Sequence, residues 1–324
     1  MKINMTHGGG GTAMQGLIDG LFKKHFKNDL LLKGEDAAVF ELNGKTAFTT
    51  DSFVVQPLTF PGGDIGRLAV CGTVNDLLTV GAEPKYLSAA YILEEGLEFD
   101  ALEAAVISMA EAAREAGVMI VTGDTKVIEG RGGLIINTAG VGLVKPGYAP
   151  ERCTAGDTVL LTGTLGEHHA AVLSRRMGIE NGILSDCAPL NEIVLGLIDR
   201  GIRVKAMRDV TRGGLATVLS ELAALHEICI ELDEKALPVS PEVKGFCAVL
   251  GLDPLYMGNE GKMAVIVDRR DAESALRFVR SAKYGQNAAL IGFVTNGRGV
   301  VMKTAIGGSR VIGPLAGEGL PRIC

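Results

Sequence analysis

Strand-like and helix-like periods alternate along this chain in two runs, and the long break between them falls at Pro146–Gly156. That alternation restricts the fold more than any other feature. Each half must build its own sheet and cover it with helices, an α+β or α/β arrangement in both. The first run predicts a helix from about Ala13 to Phe26, strands at Ala37–Leu42 and Lys45–Thr50, and a helix from an Asp64 N-cap to about Val80. A helix starting at Asp100 follows, with Glu103 completing a capping box and Gly117 at its C-cap, then strands at Val118–Thr122 and Leu134–Val144. The second run predicts strands at Thr158–Thr162, Ile228–Leu232, Met263–Asp268, Ala288–Thr295 and Val300–Thr304, with one more ending near Arg208. Helices fall at Glu167–Met177, Leu190–Arg200, Leu215–His226 and Asp271–Ala282, and Ser240-Pro241 opens another. A chain of 324 residues, 47% hydrophobic, suits two domains with separate cores, here 1–148 and 149–310.

Several stretches carry chemistry. Asn43-Gly44 is a strong two-residue hairpin signal between its flanking strands. The register it sets places Asp36 directly opposite Asp51, and two facing carboxylates repel unless a hard cation such as Mg²⁺ lies between them. Asp76, on the helix after Asp64, is positioned to join them or is a solvated helix carboxylate. Gly123-Asp124-Thr125-Lys126 ends a strand in a polar cluster, either functional or an exposed turn. Arg208-Asp209-Val210-Thr211-Arg212-Gly213-Gly214 leads into a helix, so two arginines and bare backbone N–H groups make a phosphate site. No G-x-x-x-x-G-K-[ST] occurs, which excludes a P-loop. Gly258-Asn259-Glu260-Gly261-Lys262 is a polar island before a strand; Glu260 is a general base there, or the island is an ordinary turn. Gly8, Gly10 and Ala13 satisfy G-x-G-x-x-A, but the segment before them is too short and polar for a buried first strand, so Gly8–Gly11 is read as a glycine-rich loop entering a helix. His168 and His169 are neighbours on a helix and point apart, so they, His25 and His226 are read as structural.

The net charge of −6 and the lack of a basic stripe argue against nucleic acid. Six cysteines without a C-x-x-C pair argue against zinc and disulfides and for a reducing compartment. Cys71, Cys153, Cys187, Cys229 and Cys247 have apolar neighbours and are expected in the core. No signal-peptide pattern and no apolar run of membrane-spanning length occurs, so a soluble cytoplasmic protein is expected. The 44 glycines are roughly double the usual share, which suits backbone wrapped closely around phosphates, though turns alone use some of it. The run Val311–Cys324 has Gly313, Pro314, Gly317 and Gly319 and no apolar period, which predicts a mobile tail ending in a thiol. Fully extended, it spans at most roughly 45–50 Å, enough to carry Cys324 to a distant site.

Together HGGGG, GEDAAVF, TTDSFVV, FPGGDIG, GTVNDLL, GDTKV, RDVTRGG, GNEGK and the terminal PRIC resemble the hydrogenase maturation factor family HypE. That family lies in the ATP-binding superfamily of aminoimidazole ribonucleotide synthetase (PurM) and selenophosphate synthetase. The resemblance runs from His7 to Cys324, and the terminal PRIC separates this family from its relatives. Val210 stands where the family pattern has proline. The resemblance implies a two-domain fold whose N-terminal domain forms a dimeric β-barrel, with ATP in the cleft between domains. It implies that a partner carbamoyltransferase, HypF, carbamoylates Cys324 and that ATP drives dehydration to a thiocyanate. The cyano group then passes to iron on a HypC–HypD scaffold. The site it implies takes Cys324, Lys126 and Glu260 as catalytic and Asp36, Asp51, Asp76 and Asp209 for Mg²⁺. Gly8, Gly9, Gly10, Gly11, Asn75, Asp124, Arg208, Arg212, Gly213 and Gly214 would surround the nucleotide. Glu260 as base and Lys126 as oxygen-stabilising group are exchangeable roles. The competing readings are a small-molecule ATP enzyme of the same fold, in which the tail plays no part, and a non-enzymatic scaffold.

Overall fold

The computed structural model describes residues 1–316, so Cys324 lies outside the described residues. Near the start, Asn4 and His7 form a capping box over the turn Met5–Gly8. Helix α1 (Thr12–Leu17), a π turn (Ile18–Phe22) and α2 (Lys23–His25) follow without a break, where one helix was expected. Next come β1 (Thr46–Phe53) and a ribbon of β2 (Thr59–Phe60) and β3 (Gly63–Asp64). Asp64 then caps α3 (Ile65–Thr79), accepting the Arg67 N–H at 2.9 Å. Strand β4 (Ala82–Glu94), α4 (Phe99–Ala116), β5 (Met119–Ile128) and β6 (Leu134–Val144) complete the domain.

The sheet runs β1-β6-β4-β5, so β1 and β5 are its two edges. Alternate residues of β1 face α3, among them Asp51 and the buried Phe53. The opposite face presents Phe48, 70% exposed, and Ile92, 37% exposed. Helix α4 packs on α3 so closely that a Cβ on Gly66 would lie 2.0 Å from the Ala105 carbonyl oxygen.

Four expectations are corrected here. Residues 37–42 form no strand, so the Asn43-Gly44 hairpin is absent. Strand β1 pairs along its whole length with β6 instead, and Asp51 stands opposite Thr138 rather than Asp36. The longer ladder wins the strand, while Phe40 stacks on Tyr86 with ring centroids 4.3 Å apart. Helix α4 starts at Phe99 with Glu98 at its N-cap and no side-chain cap, although Gly117 closes it in the left-handed conformation as expected. Strand β5 does not stop before Gly123-Asp124-Thr125-Lys126 but runs through it. The longest strand, β4, was not anticipated.

The C-terminal domain follows the expected alternation: β7 (Thr158–Leu161), α5 (Glu167–Met177), α6 (Asn191–Asp199), β8 (Val204–Asp209), α7 (Gly214–His226) and β9 (Cys229–Asp233). Then come α8 (Pro241–Leu250), capped by Ser240, β10 (Met263–Val267), α9 (Ala272–Ser281), β11 (Ala289–Thr295) and β12 (Gly299–Lys303). A last strand, β13 (Ser309–Ile312), ends the sheet, whose order is β13-β12-β9-β11-β7-β10-β8. The expected tail therefore begins later than Val311, because β13 pairs with β12 through Ile312. Beyond it, Tyr256 donates to the Gly313 carbonyl at 3.2 Å, and the Leu315 N–H donates to Thr217 Oγ1 at 3.0 Å.

One continuous core holds Leu68 of α3 with Leu160 and Ile193 of the second domain. Arg67 ties the domains, donating Nε to the Cys187 carbonyl at 2.8 Å and Nη2 to Tyr284 at 3.3 Å, while Glu115 of its own domain holds Nη1 at 2.9 Å. Cys71, Cys153, Cys187 and Cys247 are buried as expected, whereas Cys229 is only half-buried. His168 bonds Ser185 Oγ at 2.8 Å, and burial lowers the His169 pKa to about 4, in keeping with structural roles.

Candidate active site between the two domains

The end of β1, the middle of α3 and the loops after β8 and before β10 converge on one cleft of about 190 Å³. Asp51, Asp76, Asp209, Arg212 and Glu260 line it, together with Thr50 and Thr211. Asp51 reaches it from β1 because its face of the sheet meets α3, where Gly72 leaves room. A Cβ on Gly72 would lie 2.8 Å from the Phe53 ring and 3.8 Å from Asp51 Oδ2. Asp76 enters one turn later and accepts a hydrogen bond from Thr49 Oγ1 at 2.9 Å. Asp209 ends β8, and the segment Gly213-Gly214 turns into α7 with both residues at positive φ, where glycine is favoured. The Gly214 N–H closes that turn on the Thr211 carbonyl at 3.0 Å, which sets Thr211 and Arg212 in the cleft lining.

Four carboxylates in one small cleft disfavour each other's charge. Burial, then Asp209, raises the Asp76 pKa to about 6. Burial raises Asp51 and Asp209 as well. Glu260, 4% exposed, is pushed well above the carboxylate range by burial first, then by Asp209, Asp186 and Asp51. Such a site attracts positive charge. Among the described residues no three His, Cys, Asp or Glu side chains are spaced as metal ligands. The oxygen donors nevertheless suit Mg²⁺, which takes one or two carboxylates and completes its shell with phosphate oxygens and water.

The segment around Glu260 is not an ordinary turn. Asn259 is fully buried; its Oδ1 accepts the Gly166 N–H at 2.7 Å, and its Nδ2 donates to the carbonyls of Val210 and Met257. The Val210 N–H donates to the Lys262 carbonyl at 2.9 Å, a bond a proline at this position forfeits. The departure from the family pattern thus adds a tie between the two site loops.

The other expected residues sit elsewhere. Lys126 and Asp124 lie on edge strand β5, exposed and paired with each other at 2.8 Å. Lys126 pairs across to Ile92, which places it on the sheet face away from α3 and across three strand spacings from β1, or roughly 14 Å. The glycine loop joins this second group, because a Cβ on Gly8 would lie 2.7 Å from the Val127 amide nitrogen. Gly9, Gly10 and Gly11 continue the loop, with Gly10 at φ +79°. Asn75 is buried and bonds the Ala188 and Glu260 carbonyls, so it braces the cleft rather than lining it. Arg208 is exposed, and its charge offsets a small part of the burial-driven rise at Asp76 and Asp209. Asp36 is exposed and absent from the cleft lining. Sequence reasoning missed Asp186, whose neighbours show no periodic or motif signal, and did not single out Thr50 and Thr211 within the TTDSFVV and RDVTRGG runs.

Comparison with known proteins covers both domains. Residues 34–144 match the AIR synthase related protein, N-terminal domain, and residues 154–304 match its C-terminal domain. The carbamoyl dehydratase HypE of Escherichia coli (strain K12) is 47% identical over 336 residues, covering 100% of this chain and 99% of that protein. A crystal structure of the hydrogenase maturation protein HypE in complex with ATP superposes with a TM-score of 0.95 at 46% identity, over 99% of each chain. A chain of a HypE–HypF complex matches with a TM-score of 0.81 at 45% identity, over 92% of this chain and 99% of that one. Both halves match in order and the likeness runs end to end, so the chain belongs to the HypE carbamoyl dehydratase family of hydrogenase maturation proteins.

Proposed function

We infer that the chain uses ATP to dehydrate a carbamoyl group carried on its own Cys324, making the thiocyanate that supplies a cyano ligand to [NiFe]-hydrogenase iron. The observation that carries this reading is the buried Glu260 facing three aspartates at the domain junction of a chain 47% identical to a carbamoyl dehydratase. In the reaction the γ-phosphoryl group moves to the amide oxygen and the nitrogen loses both protons. The oxygen then leaves as phosphate, and the carbon–nitrogen bond becomes triple.

Glu260 accepts a proton from the amide nitrogen. Burial and its acidic neighbours strengthen its hold on a proton, and positive charge brought to the cleft with the nucleotide favours the ionised form that accepts one. Arg212, Arg208 and the Gly213 N–H at the start of α7 hold phosphate oxygens, since phosphoryl transfer needs positioning and charge neutralisation above all. Mg²⁺ supplies further neutralisation when bound, and Asp51, Asp76 and Asp209 would hold it. The chain leaves β13 at the right place. Leu315 bonds Thr217 Oγ1, and a Cβ on Gly213 would lie 2.4 Å from that same oxygen. The eight residues from Gly317 to Cys324 span at most roughly 26–29 Å, so the thiol starts its reach from the cleft's own loop.

Lys126 is the proposed oxygen-stabilising group, and it requires a second copy of the chain. Two four-stranded sheets close into a barrel when β5 of each meets β1 of the other, which leaves no open edge. That closure buries Phe48 and sets the second copy's β5, the strand that carries Lys126, alongside β1, the strand that carries Asp51. HypF is the proposed source of the carbamoyl group, as a relative was solved in a HypE–HypF complex, and a HypC–HypD scaffold is the proposed acceptor.

Mass spectrometry of the C-terminal peptide, after carbamoylation and then ATP, tests the reading. Loss of one water that requires ATP is expected. Lys126→Ala and Glu260→Ala should leave carbamoylation intact and stop the loss. Water loss without ATP, or an ATP-dependent activity untouched by deleting Cys324, overturns it.

A further inference from the structure

Glu260 lies on a segment without regular structure, between a short turn at Pro254–Tyr256 and β10. Its position therefore depends on braces from elsewhere in the chain. Its carbonyl is held by Asn75 Nδ2 at 3.3 Å and by the Ala188 N–H at 3.4 Å. Its N–H donates to Oδ1 of Asp186 at 3.2 Å. Asp186 is 2% exposed in its side chain, and its second oxygen, Oδ2, lies 3.1 Å from the Lys262 ammonium. Lys262, 7% exposed, also faces Glu167 at 3.7 Å, and Glu167 is fixed by Thr164 Oγ1 at 2.6 Å.

The arrangement explains the last part of the GNEGK island. Gly261 lets the Asp186 backbone dock, since a Cβ there would lie 1.9 Å from the Asp186 carbonyl oxygen. Gly163 leaves space for the Lys262 stem, since a Cβ there would lie 2.8 Å from Cε. One carboxylate thus grips both ends of Glu260-Gly261-Lys262, by a backbone hydrogen bond at one end and an ion pair at the other.

We propose that Asp186, locked by Lys262, is a positioning residue for dehydration: it fixes the Glu260 backbone so that the side chain stays aimed into the cleft. This rests on the assignment of Glu260 as the base. The ion pair is too deeply buried for solvent to replace a lost partner, so the pair acts as a unit. Removing the Asp186 carboxylate frees the Glu260 N–H and leaves Lys262 with the more distant Glu167 alone.

The test uses the full-length chain carbamoylated on Cys324, with turnover read by mass spectrometry and ATP affinity by calorimetry. Asp186→Ala is expected to lower kcat about 100-fold with ATP affinity within about two-fold of wild type, the signature of a misplaced reacting group. Lys262→Met should fall similarly, and Lys262→Arg should restore turnover. The isosteric Asp186→Asn, which keeps an oxygen for the Glu260 N–H, should lose less than Asp186→Ala. It carries the test if the alanine variant does not fold. Hydrogen exchange of the 258–262 backbone is a readout independent of turnover. It should quicken in Asp186→Ala while β10 exchange stays unchanged. Wild-type kcat in Asp186→Ala, or a fall matched by lost ATP affinity, overturns the proposal. If the wild-type chain loses no water with ATP, the proposed function fails instead. Exchange then decides whether Asp186 fixes Glu260, and an unchanged rate rejects that.

Discussion

Asp76 shows what gathering carboxylates does to stability. Burial and Asp209 raise its pKa to about 6, so the folded chain holds that proton more tightly than the unfolded chain. The associated stability is fully present below the unfolded value and is lost as pH rises through about 6. At pH 8 the ionised Asp76 is therefore a liability of about 3 kcal/mol in the ligand-free protein. Asp76→Asn should raise the melting temperature at pH 8 and leave it nearly unchanged at pH 4, where the native carboxyl is already neutral. The same substitution should abolish turnover, a stability–activity trade-off of the kind expected at a strained site. Thermal melts at the two pH values check this, and a variant that melts no higher at pH 8 contradicts it. Asn259 carries the opposite sign. Its side chain satisfies Gly166, Val210 and Met257 in a fully buried place, so Asn259→Ala should cost about 3 kcal/mol by leaving the Gly166 N–H and the Met257 carbonyl unpaired. Urea denaturation measures that loss.

Among the elements, α3 positions most of the site. It faces the first sheet, packs on α4 and α6, and delivers Asp76 to the cleft. Gly66 sets its distance from α4, and Gly66→Ala must push the helices apart because the Ala105 carbonyl leaves 2.0 Å for a Cβ. A loss of roughly 2–3 kcal/mol is expected, with turnover falling as Asp76 moves. Normal stability in that variant contradicts this packing. Helix α3 was legible in sequence because its signals are local: an Asp64 cap and an apolar set within one element. The same holds for α5, α8 and β6. The hairpin at Asn43-Gly44 failed because the turn signal is local while strand pairing is decided elsewhere. Eight residues of β6 competed for β1 and displaced residues 37–42. Asp36 lost its place beside Asp51 for that reason. Strand β4 was missed because it is a central strand whose two faces carry mixed burial, and its Pro84 disguises it. Asp51, Asp76, Asp209 and Glu260 were each visible as acids in glycine-rich settings, but their convergence depends on tertiary packing. Asp186 gave no signal, since its value comes from a backbone bond to a residue 74 positions away.

At the scale of the whole molecule, the described chain divides its expected site residues between two places. Asp51, Asp76, Asp209 and Glu260 share the cleft, while Lys126 stands on the opposite sheet face at the far edge. No rotation of a lysine side chain covers three strand spacings and crosses a sheet. If both residues serve one reaction, the site is completed in trans, and the proposed barrel between two copies would bring β5 of one beside β1 of the other. This has a consequence that a single-chain site lacks. Lys126→Ala and Glu260→Ala homodimers should each be inactive, yet chains mixed by co-expression should regain activity. In a mixed dimer one site carries both defects, and the other pairs an intact Glu260 with the intact Lys126 of the neighbouring chain. Random pairing makes half of the dimers mixed, so about a quarter of the wild-type sites should work. A site built within one chain leaves one defect in every site and restores nothing. Phe48→Glu provides the control: it charges the face that the proposed barrel would bury, so it should yield monomers by light scattering and prevent the recovery. Recovery by monomers, or none from verified mixed dimers, shows that Lys126 does not act across the interface.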